Sequence, residues 1–515
     1  MTSNDVVPIW ARPRFVATTI LIYLAVHFVV RMAMWPTLGI DDSEQALFAQ
    51  EFSWSYRFRA PPLFTWMLVG LSKAIGVNIL AVSLLRYALL GIVFGFAYLT
   101  ARRLLHDARL AALAVYSFGA IYMFAYYSHH DFTHTTTMSA MLSVAWYVFV
   151  RLAASPKLGW YIALGAVVGL GMLGKWNFVM FAAALPLACL VLPSYRPLVL
   201  TWKIVPAALV ATLIVLPTVV EAFHEGPTAA DTVQSVLVGD GGAYFSRVVE
   251  GTLHLAAAVL VYPEPLLPLV LIMFALPLWR GLSTPLSLPN GEPRPDLAIL
   301  LLIMASSLAL HLAFVLLLGA TEIPERFMQP PLFLLPIVLF MLIERGQPSP
   351  RTVNIYALML AVLVVGTLFA RIAIYLLGAD HCGSCRNMAP FRALAGDLRD
   401  AGYSGTGTIL VDGFHIGGNM RVEFPEARII DVAYPPQTWP APRGNGSCLL
   451  LWQDRDPAYS SGAKAALETY LAQELRAPPD APDRDGVVSE LMFGSKTRQY
   501  RMAFQLYDGP AGDCR

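Results

Sequence analysis

The chain has 515 residues, a formal net charge of +1, 57% hydrophobic residues and only 14% charged residues. Soluble globular proteins carry about 25% charged residues, so this composition excludes a wholly soluble enzyme and indicates that much of the surface faces lipid. A net charge near zero also provides no basic field, and we therefore predict no nucleic-acid partner.

About 11 apolar segments, with an upper count of about 13, are long enough to cross a bilayer, which takes about 20 apolar residues each. They lie near 15–35, 79–100, 110–127, 133–151, 158–173, 177–193, 200–222, 252–279, 297–319, 327–343 and 353–377. The first segment has no small-residue cleavage site after it and is interpreted as a retained span.

The loops between these segments differ in charge. With the N-terminus in the cytoplasm, every cytoplasmic loop is basic, as the positive-inside rule requires. The basic residues are Arg12, Arg14, Arg102, Arg103, Arg109, Arg151, Lys157, Arg196, Lys203, Arg280, Arg294, Arg345 and Arg351. Hydropathy divides the chain into a membrane module, 1–378, and a soluble domain, 379–515. An odd number of spans then places this domain on the periplasmic side of a bacterial inner membrane.

The first long outside loop, 36–78, is predicted to hold two amphipathic helices, Ser43–Phe52 and Leu63–Ile75, with Pro61-Pro62 opening the second. It begins with Asp41-Asp42-Ser43-Glu44. A carboxylate here suits a general base, and equally an N-cap with Glu44 completing a capping box. Further along, Arg57 and Arg59 suit either a lipid phosphate or ordinary anchoring at the membrane surface.

A second ionisable cluster, His129-His130-Asp131 followed by His134, lies where the fourth span begins. Ionisable residues at a membrane boundary are functional candidates by default. His130 and His134 are four residues apart and are predicted to share a helix face. A metal site is the minority interpretation, because adjacent histidines point to different faces, and a divalent metal is left open.

Two isolated cations follow: Lys175 in the tight turn between the fifth and sixth spans, and Arg326 before the tenth. Either suits phosphate binding. The alternatives are snorkelling for Lys175 and a local ion pair with Glu325 for Arg326.

The soluble tail alternates helix and strand and is predicted to be a small α/β domain. Helices are expected over Phe391–Leu398 and Ala463–Leu475, and strands over Thr408–Val411, Ala427–Val432, Cys448–Trp452 and Arg498–Leu506. Four of the five cysteines fall in this tail, namely Cys382, Cys385, Cys448 and Cys514. Structural disulfides are favoured over a redox-active pair or half a zinc site, because no second close Cys or His pair accompanies Cys382 and Cys385.

Several motifs carry a family likeness. Asp41 to Gln50 and Pro61-Pro62-Leu63-Phe64-Thr65-Trp66 resemble the first periplasmic loop of bacterial GT-C glycosyltransferases, in the branch of lipid A aminoarabinose transferases, protein O-mannosyltransferases and rhizobial core-sugar transferases. The glycine-rich turn at 171–177 and Arg326-Phe327-Met328-Gln329-Pro330 are similar to two later motifs of that branch. Asp42 replaces a usual glutamate, and Ala60 stands where relatives often have a charged residue or histidine.

The resemblance implies a polytopic GT-C fold and an inverting transfer of a hexose or pentose from a polyprenyl-phosphate donor to an acceptor facing the periplasm. The acceptor class stays open between lipopolysaccharide or lipid A, another envelope glycan and a protein. By carry-over, Asp41 is the general base and Asp131 a second carboxylate that organises the site. Lys175 and Arg326, with Arg59, contact the donor phosphate, and Asp42, His130 and His134 are secondary candidates.

Two other functions are weighed against an enzyme. A transporter or flippase of lipid-linked sugars is the first alternative, but transporters typically show repeated halves and interrupted helices at the midplane, which this sequence lacks. A non-catalytic membrane scaffold is the second, and it leaves the acidic loop and the boundary cations without a common purpose.

Overall fold

The computed structural model describes residues 7–56, 60–223, 238, 243–284, 296–382, 385–433, 439–441, 446–476, 481–508 and 514. Arg59 lies outside the described residues. The helices are α1 Pro13–Met34, α2 Ile40–Phe48, α3 Leu63–Ile75, α4 Ile79–Leu104, α5 Ala108–Tyr116, α6 Tyr122–Ala125, α7 Thr133–Ala154, α8 Leu158–Gly174, α9 Val179–Val191, α10 Arg196–Val199, α11 Ile204–Ala222, α12 Tyr244–Val261, α13 Leu266–Ser283, α14 Leu297–Leu318, α15 Gln329–Leu332, α16 Leu335–Arg345, α17 Pro350–Leu377, α18 Phe391–Asp400, α19 Phe414–Glu423 and α20 Pro457–Gln473.

Within the described ranges, eight helices are long and apolar enough to cross a membrane. They are α1, α4, α7, α11, α12, α13, α14 and α17. A ninth crossing results if the bent segment Glu325–Arg345, which turns by 49°, is one span. Helices α3, α8 and α9, with the segment Ala108–Ala120, are apolar but shorter. The multi-span membrane body is therefore confirmed, and the count of 11 is not.

The predicted span 252–279 is wrong in its boundaries. The helical structure begins at Tyr244 and breaks between α12 and α13, over Tyr262–Pro265. Two prolines, Pro263 and Pro265, remove backbone donors there, and a proline inside a helix also clashes with the preceding turn. Apolar composition continues through the break, which is why hydropathy alone joined the two helices.

Within its described residues, the tail contains one sheet of five strands in the order β2-β1-β3-β5-β4. The strands are β1 Gly407–Val411, β2 Arg428–Asp431, β3 Ser447–Gln453, β4 Arg484–Leu491 and β5 Gln499–Tyr507. Strand β1 is parallel to β2 and β3, whereas β5 is antiparallel to β3 and β4. Ile409 and Val411 face α18 and α19, and Leu410 faces α20, so helices cover both faces.

The predicted tail elements are confirmed within a few residues, but α19 and β4 were missed. Gly417-Gly418 interrupts the helical pattern of α19, and β4 is an edge strand with many exposed residues, so its sequence lacks a clear apolar alternation. The four tail cysteines form structural disulfides, as predicted, and the pairing that the sequence left open is Cys382–Cys385 and Cys448–Cys514.

Candidate active site

Helix α2 carries the acidic motif of the first loop and begins at Ile40, three residues before the predicted start. Its N-cap is Gly39, so the interpretation of Asp41 or Asp42 as the cap is wrong. The cap comes instead from Asp131, whose Oδ1 and Oδ2 accept hydrogen bonds from the backbone N–H of Asp41, at 2.8 Å, and of Ile40, at 3.2 Å. A carboxylate at this position satisfies free N–H groups and complements the helix dipole.

The backbone at Gly39 and the backbone around Asp131 together make this cap possible. A Cβ at Gly39 would lie 3.0 Å from the Asp131 carboxyl carbon, tighter than an ordinary contact. Asp131 itself lies between a short 3₁₀ turn, Tyr127–His129, and Phe132, whose positive φ of 63° redirects the chain into α7. The structure thus brings Asp131 against the first loop, 90 residues away in the chain.

Asp42 and Asp41 have different surroundings although they are adjacent. The Asp42 carboxylate is fully buried and accepts a hydrogen bond from Arg86 on α4. Arg86 also donates to the backbone oxygens of Ser128, at 3.1 Å, and of Asp131. This arginine therefore ties α2 to the segment that supplies its cap, and we interpret Asp42 as a structural residue.

Replacing Asp42 with asparagine is expected to leave Arg86 buried without a counter-charge. Breaking a buried ion pair from one side costs about 3–5 kcal/mol, so the thermal unfolding midpoint of the purified protein in detergent should fall clearly. The matched control is Lys464→Gln, which removes an exposed ion pair with Glu468 and should change stability by less than about 1 kcal/mol. An equal midpoint for Asp42→Asn and wild type would contradict the structural role.

The Asp41 carboxylate, in contrast, accepts no hydrogen bond from any described residue and lies partly buried in the first turn of α2. Burial raises its pKa, and the charges of Glu44 and Asp42 raise it further, while His134 and Arg326 act in the opposite direction. A carboxylate with a raised pKa and free oxygens has the properties of a general base. Burial and the neighbouring Asp41 likewise raise the pKa of Asp131.

His134 lies in the first turn of α7 beside α2. Its Nε2 is 3.1 Å from Gln45 Nε2 and 3.7 Å from Glu44 Oε2. The predicted pairing of His130 with His134 on one helix face is wrong, because α7 begins at Thr133, after the turn at Phe132. In the described part of the chain, no group of three His, Cys, Asp or Glu side chains is arranged to hold a metal ion.

Lys175 and Arg326 lie at the same end of the molecule as Asp41. Lys175 donates to Thr135 Oγ1 at 2.9 Å, and its ammonium lies 5.1 Å from the ring centre of Phe327. Arg326 lies 5.2 Å from the ring centre of Phe132. The guanidinium makes no hydrogen bond or ion pair with a described residue, so the predicted local pair with Glu325 is not present among them.

Electrostatic coupling links these groups. Burial and the nearby Arg326 lower the pKa of Lys175 to about 7, and Asp41 and Glu325 partly offset this. Lys175 has N–H groups left over after its bond to Thr135. Asp41, Lys175 and Arg326 therefore form an open cluster of one carboxylate and two cations.

The loop that carries Arg326 is held by an adjacent polar network. Asn177, two residues after Lys175, donates from Nδ2 to the backbone oxygen of Phe327 at 3.0 Å. His311 Nε2 lies 3.2 Å from Asn177 Oδ1. This network joins the two segments that carry the cations.

Sequence reasoning missed a buried polar network under the site. Arg371 of α17 donates from Nε to His130 Nε2 at 3.2 Å and is also bonded to His27 of α1. His27 stacks on His129 with ring centres 3.9 Å apart. Arg86, Arg371 and His27 lie inside apolar spans. This position in the sequence could have identified them, because an ionisable side chain inside a membrane span costs free energy.

Residues 59–220 match the family model described as dolichyl-phosphate-mannose-protein mannosyltransferase. Two curated relatives come from Rhizobium johnstonii. The first, lipopolysaccharide core galacturonosyltransferase RgtA, is 27% identical, and its alignment covers 94% of this chain and 95% of the relative. The second, lipopolysaccharide core galacturonosyltransferase RgtB, is 26% identical, and its alignment covers 95% of this chain and 97% of the relative.

A solved structure shares the fold. The crystal structure of ArnT from Cupriavidus metallidurans bound to undecaprenyl phosphate aligns with a TM-score of 0.59 at 15% identity. The alignment covers 96% of this chain and 98% of that one. The likeness therefore extends over the membrane body and the tail together.

Proposed function

We infer that this chain, which is a GT-C glycosyltransferase of the aminoarabinose transferase and protein O-mannosyltransferase type, transfers a uronic acid from a polyprenyl phosphate to the core of lipopolysaccharide. The two rhizobial relatives, which match along nearly their whole length, are named as lipopolysaccharide core galacturonosyltransferases. The match to the mannosyltransferase model covers a shorter stretch, so a protein acceptor has less support.

The observation that carries the proposal is the open cluster of Asp41, Lys175 and Arg326. The two other aspartates near this cluster are engaged elsewhere, since Asp42 is bonded to Arg86 and Asp131 caps α2. A lipid-linked sugar phosphate needs cations, and an acceptor hydroxyl needs a base. These three side chains supply both at one end of the membrane body.

In the proposed reaction Asp41 takes the proton from an acceptor hydroxyl, and the hydroxyl oxygen attacks the anomeric carbon of the sugar. The bond between that carbon and the phosphate oxygen breaks, and the pair of electrons leaves with the polyprenyl phosphate. Lys175 and Arg326 stabilise the charge that develops on the phosphate. Attack opposite to the leaving group inverts the anomeric carbon.

The protein is a multi-span membrane protein, and we propose that it lies in the bacterial inner membrane with its N-terminus in the cytoplasm. The basic loops support this orientation. We place the boundary between membrane module and soluble domain at residues 378 and 379, directly after α17, and both the open cluster and the domain 379–515 on the periplasmic side. Contacts between α2 and α19 support a common side.

The test is transfer by the purified protein in detergent, with undecaprenyl phosphate carrying either galacturonic acid or 4-amino-4-deoxyarabinose as donor and lipopolysaccharide core oligosaccharide as acceptor. Mass spectrometry should show one added hexuronic acid with the first donor. Addition of the aminopentose alone would overturn the uronic acid assignment. With the protein reconstituted into liposomes, movement of the lipid-linked sugar across the bilayer without a covalent product would favour the transporter alternative, which none of the relatives above supports.

A further inference from the structure

The helix that carries Asp41 is held from two sides, and one side belongs to the soluble tail. Asn419 of α19 accepts a hydrogen bond on Oδ1 from the Leu38 N–H at 2.9 Å. Its Nδ2 donates to Ser43 Oγ at 3.1 Å. Asn419 and Ser43 are both buried, so water does not replace these bonds easily.

A second contact lies just beyond the C-terminal end of α2. The side chain of Gln50 donates from Nε2 to the backbone oxygen of Ile429 at 2.9 Å and accepts on Oε1 from the Ile429 N–H at 2.9 Å. This two-way bond resembles the pairing of one residue in a strand ladder, and it attaches the loop to β2.

Between these two contacts the backbones of α2 and α19 approach closely. A Cβ at Gly418 would lie 2.1 Å from the carbonyl oxygen of Ser43 and 2.4 Å from its Cα. Backbone atoms do not move aside as the ends of side chains do. Gly418 therefore sets the distance between the tail and the helix that carries Asp41.

We propose that Asn419, Gln50 and Gly418 are positioning residues that hold Asp41 in place for sugar transfer, so the tail acts as part of the active-site frame. A helix of nine residues is too short to be stable without tertiary contacts. Asp131 and Arg86 fix its N-terminal end from the membrane body. The tail contacts the face of α2 that carries Ser43 and Leu47, and it also holds Gln50 just beyond the C-terminal end. This inference rests on the proposed role of Asp41.

The test compares two neighbouring glycines of α19. In Gly418→Ala the new methyl group must separate α19 from α2, because it meets the Ser43 backbone. In the matched control, Gly417→Ala, the methyl group meets side-chain ends, Val411 Cγ2 at 3.1 Å and Leu47 Cδ1 at 3.2 Å. Both variants gain the same helix propensity and both meet α2, since Leu47 belongs to that helix. They differ because only Gly418→Ala meets the backbone of α2, whereas Gly417→Ala meets side-chain ends.

For Gly418→Ala we expect kcat to fall by about 10- to 100-fold, because a displacement of about 1 Å at a reacting group costs on that order. The KM for the lipid-linked donor should stay near the wild-type value, since Lys175 and Arg326 belong to the membrane body. The control should keep kcat within about twofold of wild type. Wild-type kcat in Gly418→Ala, or an equal loss in Gly417→Ala, would overturn the proposal.

A readout that does not depend on the reaction separates this proposal from the proposed function. Amide hydrogen exchange over residues 40–50 should be faster in Gly418→Ala than in Gly417→Ala, while the amides of β1 and β3 keep their protection. Unchanged exchange in α2 overturns the positioning role whether or not transfer is found. Faster exchange in α2 together with loss of protection in the sheet would also overturn it, since the tail would then have unfolded.

Discussion

Asp41→Asn is expected to lower kcat for sugar transfer by about 10³-fold, within the range for removal of a general base. The Asp41 carboxylate makes no hydrogen bond to a described residue, so the amide should fit without disturbing the fold. Thermal midpoint and donor KM should therefore match wild type. The measurement is product formation by mass spectrometry under single-turnover conditions.

The control is Glu51→Gln, an exposed carboxylate three residues after the end of α2, which should keep wild-type activity. Asp41→Glu should retain more activity than Asp41→Asn, because it keeps a base at a shifted distance. Full transfer in purified Asp41→Asn would remove the proposed mechanism, and inactivity of the Glu51 control would show that the loop tolerates no change of charge.

Lys175→Met is expected to lower kcat/KM for the donor by about 10²- to 10³-fold, since it removes one of two cations placed for the phosphate. Methionine keeps the volume and the contact with Phe327. Lys73→Met, at an exposed position in the last turn of α3, is the control and should keep wild-type values. A Lys175→Met enzyme with unchanged kcat/KM would exclude Lys175 from phosphate binding.

The pH dependence of the same parameter provides a sharper check. The pKa of Lys175 is lowered to about 7, so the free enzyme loses this charge as pH rises through that value. Donor kcat/KM should therefore fall on the alkaline side in wild type, because this parameter reports groups of the free enzyme. Lys175→Arg, which stays protonated, should lack that alkaline decline. An unchanged decline in Lys175→Arg would assign it to another group.

The buried network around Arg371 supports the segment that caps α2. His130 is bonded to this arginine, and His130 directly precedes Asp131. The chain thus places the helix cap on a segment that is anchored from α1, α4 and α17. We interpret His130 as part of this anchor, whereas His134 faces the open cluster through its proximity to Glu44 and Asp41.

Local composition was sufficient to predict the membrane body and the fold class of the tail. Apolar length and loop charge predicted a multi-span membrane body, and the turn and strand patterns of residues 379–515 predicted a small α/β domain, because both signals depend on neighbouring residues. The same signals failed at the break between α12 and α13, where composition stays apolar although the prolines end the helix. They also failed for α19, whose two glycines serve a contact with another part of the chain.

The tertiary structure decided how each charge is used. Asp41 and Asp42 are adjacent and have the same side chain, and only the family resemblance separates them at the level of sequence. Arg86, from a helix that begins 37 residues later, engages Asp42, and Asp131 caps the helix that both occupy, which leaves the Asp41 carboxylate open beside Lys175 and Arg326. Hydrogen-bond partners are set by distance in space, and that information appears only when the spans and the tail pack together.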